Sequence, residues 1–231
     1  SRLDAMCRVI THRGPDEQGT AIEGRAAMGM RRLSIIDLAT GQQPIYTQDR
    51  TKLIVFNGEI YNYRELKKDL ESRGCKFRTN SDTETIIHAY NEYGEDCVRL
   101  LRGMFAFAIW DTAEQSLFLA RDRVGKKPLF YTVTPDGEFI FGSEIKVILE
   151  HGGVTREVDH GALDAYLTFG YVPEELCIFK GVKKLEPGHF LIFKNGEIRT
   201  ERYWDFDFSG ETLTGSEDAI AGELLDKLRE A

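Results

Sequence analysis

The sequence predicts an α+β fold in which two sheets are sandwiched between helical layers. Two observations carry the expectation: short apolar or alternating runs rich in β-branched residues recur along the chain, and segments with helical spacing flank them. A third sets the scale. The 231 residues are 42% hydrophobic and 29% charged, with 22 Gly and 6 Pro, the profile of a globular domain long enough to bury a core.

Taken in order, residues 1–11 place Leu3, Met6, Val9 and Ile10 on one helical face, and Gly14-Pro15 breaks the pattern into a loop. Residues 26–36 and 52–56 read as strands, bounded by Gly41-Gln42-Gln43-Pro44 and Asn57-Gly58, so Asn57 is expected at a strand end. Residues 64–73 and 83–93 are helical by periodicity. The second opens on Ser81-Asp82-Thr83-Glu84, a capping-box pattern that puts Asp82 at a helix N-terminus, and closes at Gly94. Residues 104–110, 116–120, 128–133 and 138–141 read as a four-stranded antiparallel meander covered on both faces. Helical stretches follow at 144–149 and 159–169. A last hairpin joins 189–194 to 197–200 through Asn195-Gly196, the strongest short hairpin signal. Beyond Asp207 the chain turns polar, then begins an amphipathic helix at Ser216 with Ile220, Leu224, Leu225 and Leu228 on one face. Residues 209–231 are therefore expected to link into, and begin, a second domain.

Composition removes several function classes. The formal net charge of −8 provides no basic stripe for phosphates, which argues against a nucleic-acid partner and favours a small molecule. Cys7, Cys75, Cys97 and Cys177 form no CxxC pair and show no ligand spacing to the histidines, so neither zinc nor a disulfide framework is expected. They read as reduced, mostly buried thiols. No apolar run approaches the length of a membrane span, and a cytoplasmic protein is the expectation.

Common nucleophile and nucleotide signatures (GxSxG, HExxH, GxxxxGK[ST]) are not found. The informative segments are His12-Arg13-Gly14-Pro15-Asp16, Arg31-Arg32-Leu33-Ser34-Ile35-Ile36-Asp37, Phe56-Asn57-Gly58-Glu59-Ile60-Tyr61-Asn62 and Asn80-Ser81-Asp82-Thr83-Glu84. In this order, over nearly the whole chain, they resemble the class II glutamine amidotransferase domain, a member of the N-terminal nucleophile hydrolases. Gly41-Gln42-Gln43-Pro44, 103–108, 121–129 and Gly142-Ser143-Glu144-Ile145-Lys146 point the resemblance to the asparagine synthetase branch.

The resemblance implies a four-layer αββα sandwich of two mainly antiparallel sheets. It also implies hydrolysis of L-glutamine to L-glutamate and ammonia through a cysteinyl thioester. Such chemistry needs a nucleophile with a base, donors for an oxyanion, and fixed charges for the amino acid's α-carboxylate and α-ammonium. Arg32 matches the arginine that pairs with the α-carboxylate, a task suited to a planar guanidinium fork. Without the motif it would read as a solvated surface charge. Asn57 and Gly58 match the oxyanion hole, although Asn-Gly is also a common tight turn, as Asn195-Gly196 illustrates. Glu59 and Asp82 match the carboxylates that hold the ammonium, and main-chain groups around Leu33, Ile35 and Ile36 complete the pocket; for Asp82 the competing reading is helix capping. Arg13, Asp16, Arg121, Asp122, Glu144 and Lys146 are expected to form structural or interdomain salt bridges near an ammonia exit.

The family's nucleophile is an N-terminal cysteine followed by Gly-Ile, well upstream of the Arg-Gly-Pro-Asp segment. Met6-Cys7 imitates that start, but Arg8-Val9 follows and Cys7 lies five residues before His12, so Cys7 is not expected to serve. Residues 1–208 thus read as the amidotransferase domain without its first strand and catalytic cysteine, and either that strand precedes the sequence or the chain is inactive. The loss of such a strand would leave a sheet edge. No cofactor is expected here, whereas ATP and magnesium are expected in a following synthetase domain, which with L-glutamine makes up the expected partners; a homodimer stays open. Two other functions compete: an asparagine-synthetase-like amidotransferase with a different acceptor, and a non-catalytic glutamine-binding module.

Overall fold

The computed structural model describes residues 1–33, 37, 40–174, 176–210 and 214–230. Helix α1 (Arg2–Arg8) comes first, followed by a short 3-10 turn over Thr11–Arg13. Strands β1 (Glu17–Glu23) and β2 (Ala26–Arg32) then pair as an antiparallel hairpin, with Glu17 opposite Arg32. After β3 (Ile45–Tyr46) and β4 (Lys52–Ile60) come helices α2 (Tyr63–Ser72), α3 (Asp82–Tyr93) and α4 (Cys97–Leu100). Strands β5 (Gly103–Asp111), β6 (Ser116–Arg121), β7 (Phe130–Val133) and β8 (Phe139–Gly142) lead to α5 (Ile145–Leu149) and α6 (His160–Phe169). Last come β9 (Lys183–Lys184), the hairpin β10 (His189–Lys194) and β11 (Glu197–Arg202), and α7 (Glu217–Glu230).

Strand alternation creates the layers. In β4, Ile54, Phe56 and Ile60 pack with Leu70, Ile86, Ile87 and Val98 of the helices, while Leu53 and Val55 face Met28 of β2, Tyr131 of β7 and Leu129 just before β7. The six-stranded sheet, ordered β11-β10-β6-β5-β4-β3, therefore has helices α2–α4 on one face and strands on the other. Phe105, Phe107 and Phe118 are fully buried, each contributing roughly 2–3 kcal/mol by removal from water. On the far side, Ile148 of α5 and Met6 of α1 pack with Ile140 of β8 and complete a four-layer αββα sandwich.

Three details differ from the sequence reading. The expected meander is divided: β5 and β6 belong to the large sheet, whereas β7 pairs with β8 and β9 in a sheet of its own. The cause is Asp122, 1% exposed, whose carboxylate accepts from the amides of Phe105 (3.1 Å), Lys126 (2.8 Å) and Lys127 (2.9 Å) and so turns the chain out of the β6 ladder. Strand β1 has no counterpart in the sequence reading, and β2 stops at Arg32 instead of running to residue 36; residues 34–36 lie outside the described ones. Asn57 does not end its strand, because β4 continues to pair with β5 as far as Ile60 opposite Gly103.

The layer facing the large sheet is itself in two pieces, β1-β2 and β8-β7-β9. Among the described residues no strand pairs with the second edge of β2 or of β8, and both edges line one cavity of about 680 Å³. The hairpin turn behaves as read: Asn195 and Gly196 have φ of 53° and 84°, the left-handed pair that a two-residue turn needs. Helix α7 leaves Leu224, Leu225 and Leu228 exposed. No described helix is long and apolar enough to cross a membrane.

Candidate active site

Arg32 ends β2 and is 7% exposed, not the solvated charge of the competing reading. Its Nη2 donates to the Asp37 carbonyl at 2.8 Å and its Nη1 to Glu17 Oε2 at 3.0 Å. Gly41 lets the guanidinium approach this closely, since a Cβ there would stand 2.7 Å from Nη2. Glu17, Met30, Arg32, Gln42 and Gln43 line a recess of about 380 Å³.

Gln43 joins that recess to the β4 strand. Its Oε1 accepts from Phe56 N at 2.7 Å, and its Nε2 donates to Phe56 O and Thr83 Oγ1, both at 3.2 Å. At the far end of the strand, Asp82 Oδ2 accepts from Ile60 N at 3.0 Å. The amides of Phe56 and Ile60 thus leave β4 by the same edge, and strand alternation directs the Gly58 N–H to that edge between them. Asn57 and Glu59 fall on the opposite alternation, with Asn57 lining the inter-sheet cavity. Asn57 Nδ2 is buried with no partner in the protein, a state costing about 1–3 kcal/mol that a ligand oxygen would relieve.

Asp82 is 4% exposed, and burial raises its pKa despite bonds from the Ile60 and Thr83 amides, the second at 2.9 Å from Oδ1. It braces strand to helix as well as opening α3. Ser81 caps α3 by accepting from Thr83 N at 3.2 Å, but the other half of the capping box is not made. Glu84 turns back to the preceding loop, accepting from the amides of Arg78 and Thr79 at 2.9 and 2.6 Å and from the Thr79 hydroxyl. That loop meets the Arg32 recess where Asn80 N donates to Asp37 Oδ2 at 2.8 Å. Leu33 is 55% exposed, while Ile35 and Ile36 lie outside the described residues.

Glu84 supplies a pH-dependent prediction. Burial opposes its ionisation, yet the bonds from His88, Thr79 and the loop amides hold its pKa at about 2, below an ordinary value of 4.5. Its contribution to stability is therefore complete above pH 4.5 and is lost as pH falls toward 2. Glu84→Gln is expected to cost about 2–3 kcal/mol at pH 7, roughly 5–10 °C in Tm, with the gap to wild type closing below pH 3. Thermal unfolding of both proteins from pH 7 to 2.5 reads this directly; a gap independent of pH would contradict it.

Of the remaining expected residues, Glu144 gathers His12 at 2.9 Å, Arg13 at 3.2 Å and Lys146 at 3.0 Å. Arg121 pairs with Glu174 at 2.9 Å and donates to the Leu185 carbonyl at 2.7 Å. Asp122 differs from the expected salt bridge, since it holds the backbone amides of the β6–β7 loop. The amide of Asp16 bonds the Arg32 carbonyl at 3.2 Å, fixing the loop before β1 against the end of β2.

Burial works against activation of three thiols. Cys7 is 3% exposed within α1, Cys97 is fully buried and Cys75 is half-buried, and burial pushes the pKa of each up. Cys177 is buried in the cluster around α5.

Residues 1–204 match a family model described as a glutamine amidotransferase domain. The chain belongs to that family. This amidotransferase domain is 41% identical over 216 residues to asparagine synthetase [glutamine-hydrolyzing] 3 of Bacillus subtilis, covering 91% of the chain and 34% of the relative. Against asparagine synthetase [glutamine-hydrolyzing] 1 of the same organism it is 41% identical over 227 residues, covering 98% and 35%. The domain thus spans about a third of the length of these relatives. Among solved structures, glutamine phosphoribosylpyrophosphate amidotransferase from B. subtilis superposes with a TM-score of 0.59 at 22% identity, covering 88% of this chain and 45% of that one. An allosteric regulatory enzyme of purine biosynthesis gives 0.56 at 22% identity, covering 77% and 35%. These likenesses show the N-terminal nucleophile hydrolase fold.

The sequence reading grouped Arg32, Asn57, Gly58, Glu59 and Asp82 in one site; the structure puts Arg32 and Gln43 in one recess and Asn57 on the inter-sheet cavity, and the reading passed over Glu17 and the bridging role of Gln43. Neither carries a local signal. Glu17 contacts Arg32 only because β1 pairs with β2, and Gln43 reaches Phe56 and Thr83 across long intervals of chain.

Proposed function

We propose that this domain binds L-glutamine and hydrolyses its side-chain amide to L-glutamate and ammonia, serving ATP-dependent amidation of L-aspartate in a larger protein of asparagine synthetase type. The observation that supports this reading is that the buried, anchored guanidinium of Arg32 shares a recess with Gln43, whose side chain bonds the main chain of Phe56, the residue before the Asn57-Gly58 segment. Arg32 would take the α-carboxylate and Glu59 and Asp82 the α-ammonium. Asn57 Nδ2 and the Gly58 amide would stabilise the oxyanion as a cysteine thiolate adds to the amide carbon. Collapse of that adduct, with the proton taken from the thiol delivered to the leaving nitrogen, expels ammonia and leaves a thioester, which water then cleaves to L-glutamate and the free thiol. Residues 209–231 lead, in this reading, into a synthetase domain that holds ATP and magnesium.

In this reading the nucleophile would sit between the edges of β2 and β8, which no described strand pairs with and which line one cavity. An extended segment there would join the two small sheets into one and bring a thiol beside Asn57 in the same cavity. The test is ammonia release from L-glutamine by the chain preceded by a Cys-initiated strand, with residues 1–231 alone for comparison. Turnover is expected only with the added cysteine, and Asn57→Ala in that protein is expected to lower kcat by about 10²–10³-fold. Equal activity in both chains, or an Asn57→Ala protein with full kcat, would refute the assignment.

A further inference from the structure

Among the groups that hold Arg32 are two of different kind. A main-chain carbonyl, that of Asp37, fixes Nη2 at 2.8 Å, and a carboxylate, that of Glu17, meets Nη1 at 3.0 Å. The first is locked into the loop by Gly41 and by the Asn80–Asp37 bond. The second sits on an outer strand, its side chain 35% exposed against 8% for Arg32, and lines the same recess. A buried guanidinium without a counter-charge is costly, so an empty site benefits from an internal anion.

We propose that Glu17 is that internal anion and a specificity-determining residue: it neutralises Arg32 in the empty site and is exchanged for the ligand's α-carboxylate on binding. This rests on the assignment of Arg32 to the α-carboxylate. Two carboxylates at one guanidinium repel each other, so every ligand must match the charge that Glu17 gives up. A ligand whose α-carboxylate is replaced by a neutral carboxamide cannot make the exchange and leaves the Glu17–Arg32 pair intact. The simpler alternative is a cross-strand ion pair that only steadies the β1–β2 hairpin.

The experiment is calorimetric titration of L-glutamine and of L-glutamine α-amide into wild type, Glu17→Gln and Arg32→Lys. Glu17→Gln is expected to bind L-glutamine roughly 3- to 10-fold more tightly, a gain typical of removing one partly exposed competing charge, with binding of the α-amide unchanged. Glu17→Asp, whose shorter carboxylate withdraws from Nη1, is expected to shift L-glutamine in the same direction and serves if the amide variant does not fold. An equal change for both ligands, or weaker binding of L-glutamine by either Glu17 variant, would reduce Glu17 to a structural partner. Arg32→Lys separates the two levels of the argument. If it binds L-glutamine as well as wild type, the carboxylate assignment itself fails; if it loses binding while both Glu17 variants match wild type, only the exchange fails.

Discussion

Gly58→Ala is expected to lose about 3 kcal/mol or more of stability, or to fail to fold, and to lose glutamine binding in whatever fraction folds. A Cβ at position 58 would lie 2.0 Å from the Met104 carbonyl oxygen and 2.8 Å from Phe105 Cα, both main-chain atoms of the neighbouring strand. No rotamer change relieves such contacts. The β4–β5 ladder would have to open where Phe105 and Phe107 are buried, or the Asn57-Gly58 peptide would have to rotate and carry its N–H away from the edge set by Gln43 and Asp82. Gly74→Ala is the control. Gly74 also has a positive φ, 95°, but nothing stands within 4 Å of a Cβ there, so its expected cost is only about 1 kcal/mol. Urea denaturation of the two variants beside wild type separates crowding from conformational preference; equal losses would show that the close approach at Gly58 is unimportant.

Arg32→Lys is expected to weaken L-glutamine binding by roughly 30- to 100-fold while costing little stability. An ammonium keeps the charge but not the fork that reaches the Asp37 carbonyl, Glu17 and a ligand from one plane. Because charge is retained, a large effect isolates geometry, and a loss of threefold or less would mean that Arg32 acts only as a diffuse positive charge.

What the sequence discloses and what it conceals follow one physical division. Features set by neighbouring residues were legible: the Asn195-Gly196 turn, the start of α3 at Asp82, the helical spacing of α2 and the alternation in β4 and β5. Features set by distant partners were not. Asp122 captures the Phe105 amide seventeen positions away and thereby splits the meander, yet in sequence it is one more acidic residue in a loop. Glu84 has the spacing of a capping box but spends its carboxylate on Arg78 and Thr79. Strand β1 alternates only between half-buried and exposed positions, since it edges a two-stranded piece of sheet, so its sequence carries no apolar run. The candidate site residues Arg32, Asn57, Gly58, Glu59 and Asp82 came from motif resemblance; the burial of Arg32 and Asp82, and the bonds of Gln43 to Phe56 and Thr83, needed the fold.

The measurement that bears most directly on the central claim is titration of L-glutamine into the folded protein, with D-glutamine and Arg32→Lys as comparisons. One-to-one binding of L-glutamine, absent for D-glutamine and strongly weakened by Arg32→Lys, is the predicted result. No binding of L-glutamine by a protein whose cooperative unfolding shows it to be intact, or binding indifferent to Arg32 and to ligand chirality, would contradict the assignment of this recess as the glutamine site.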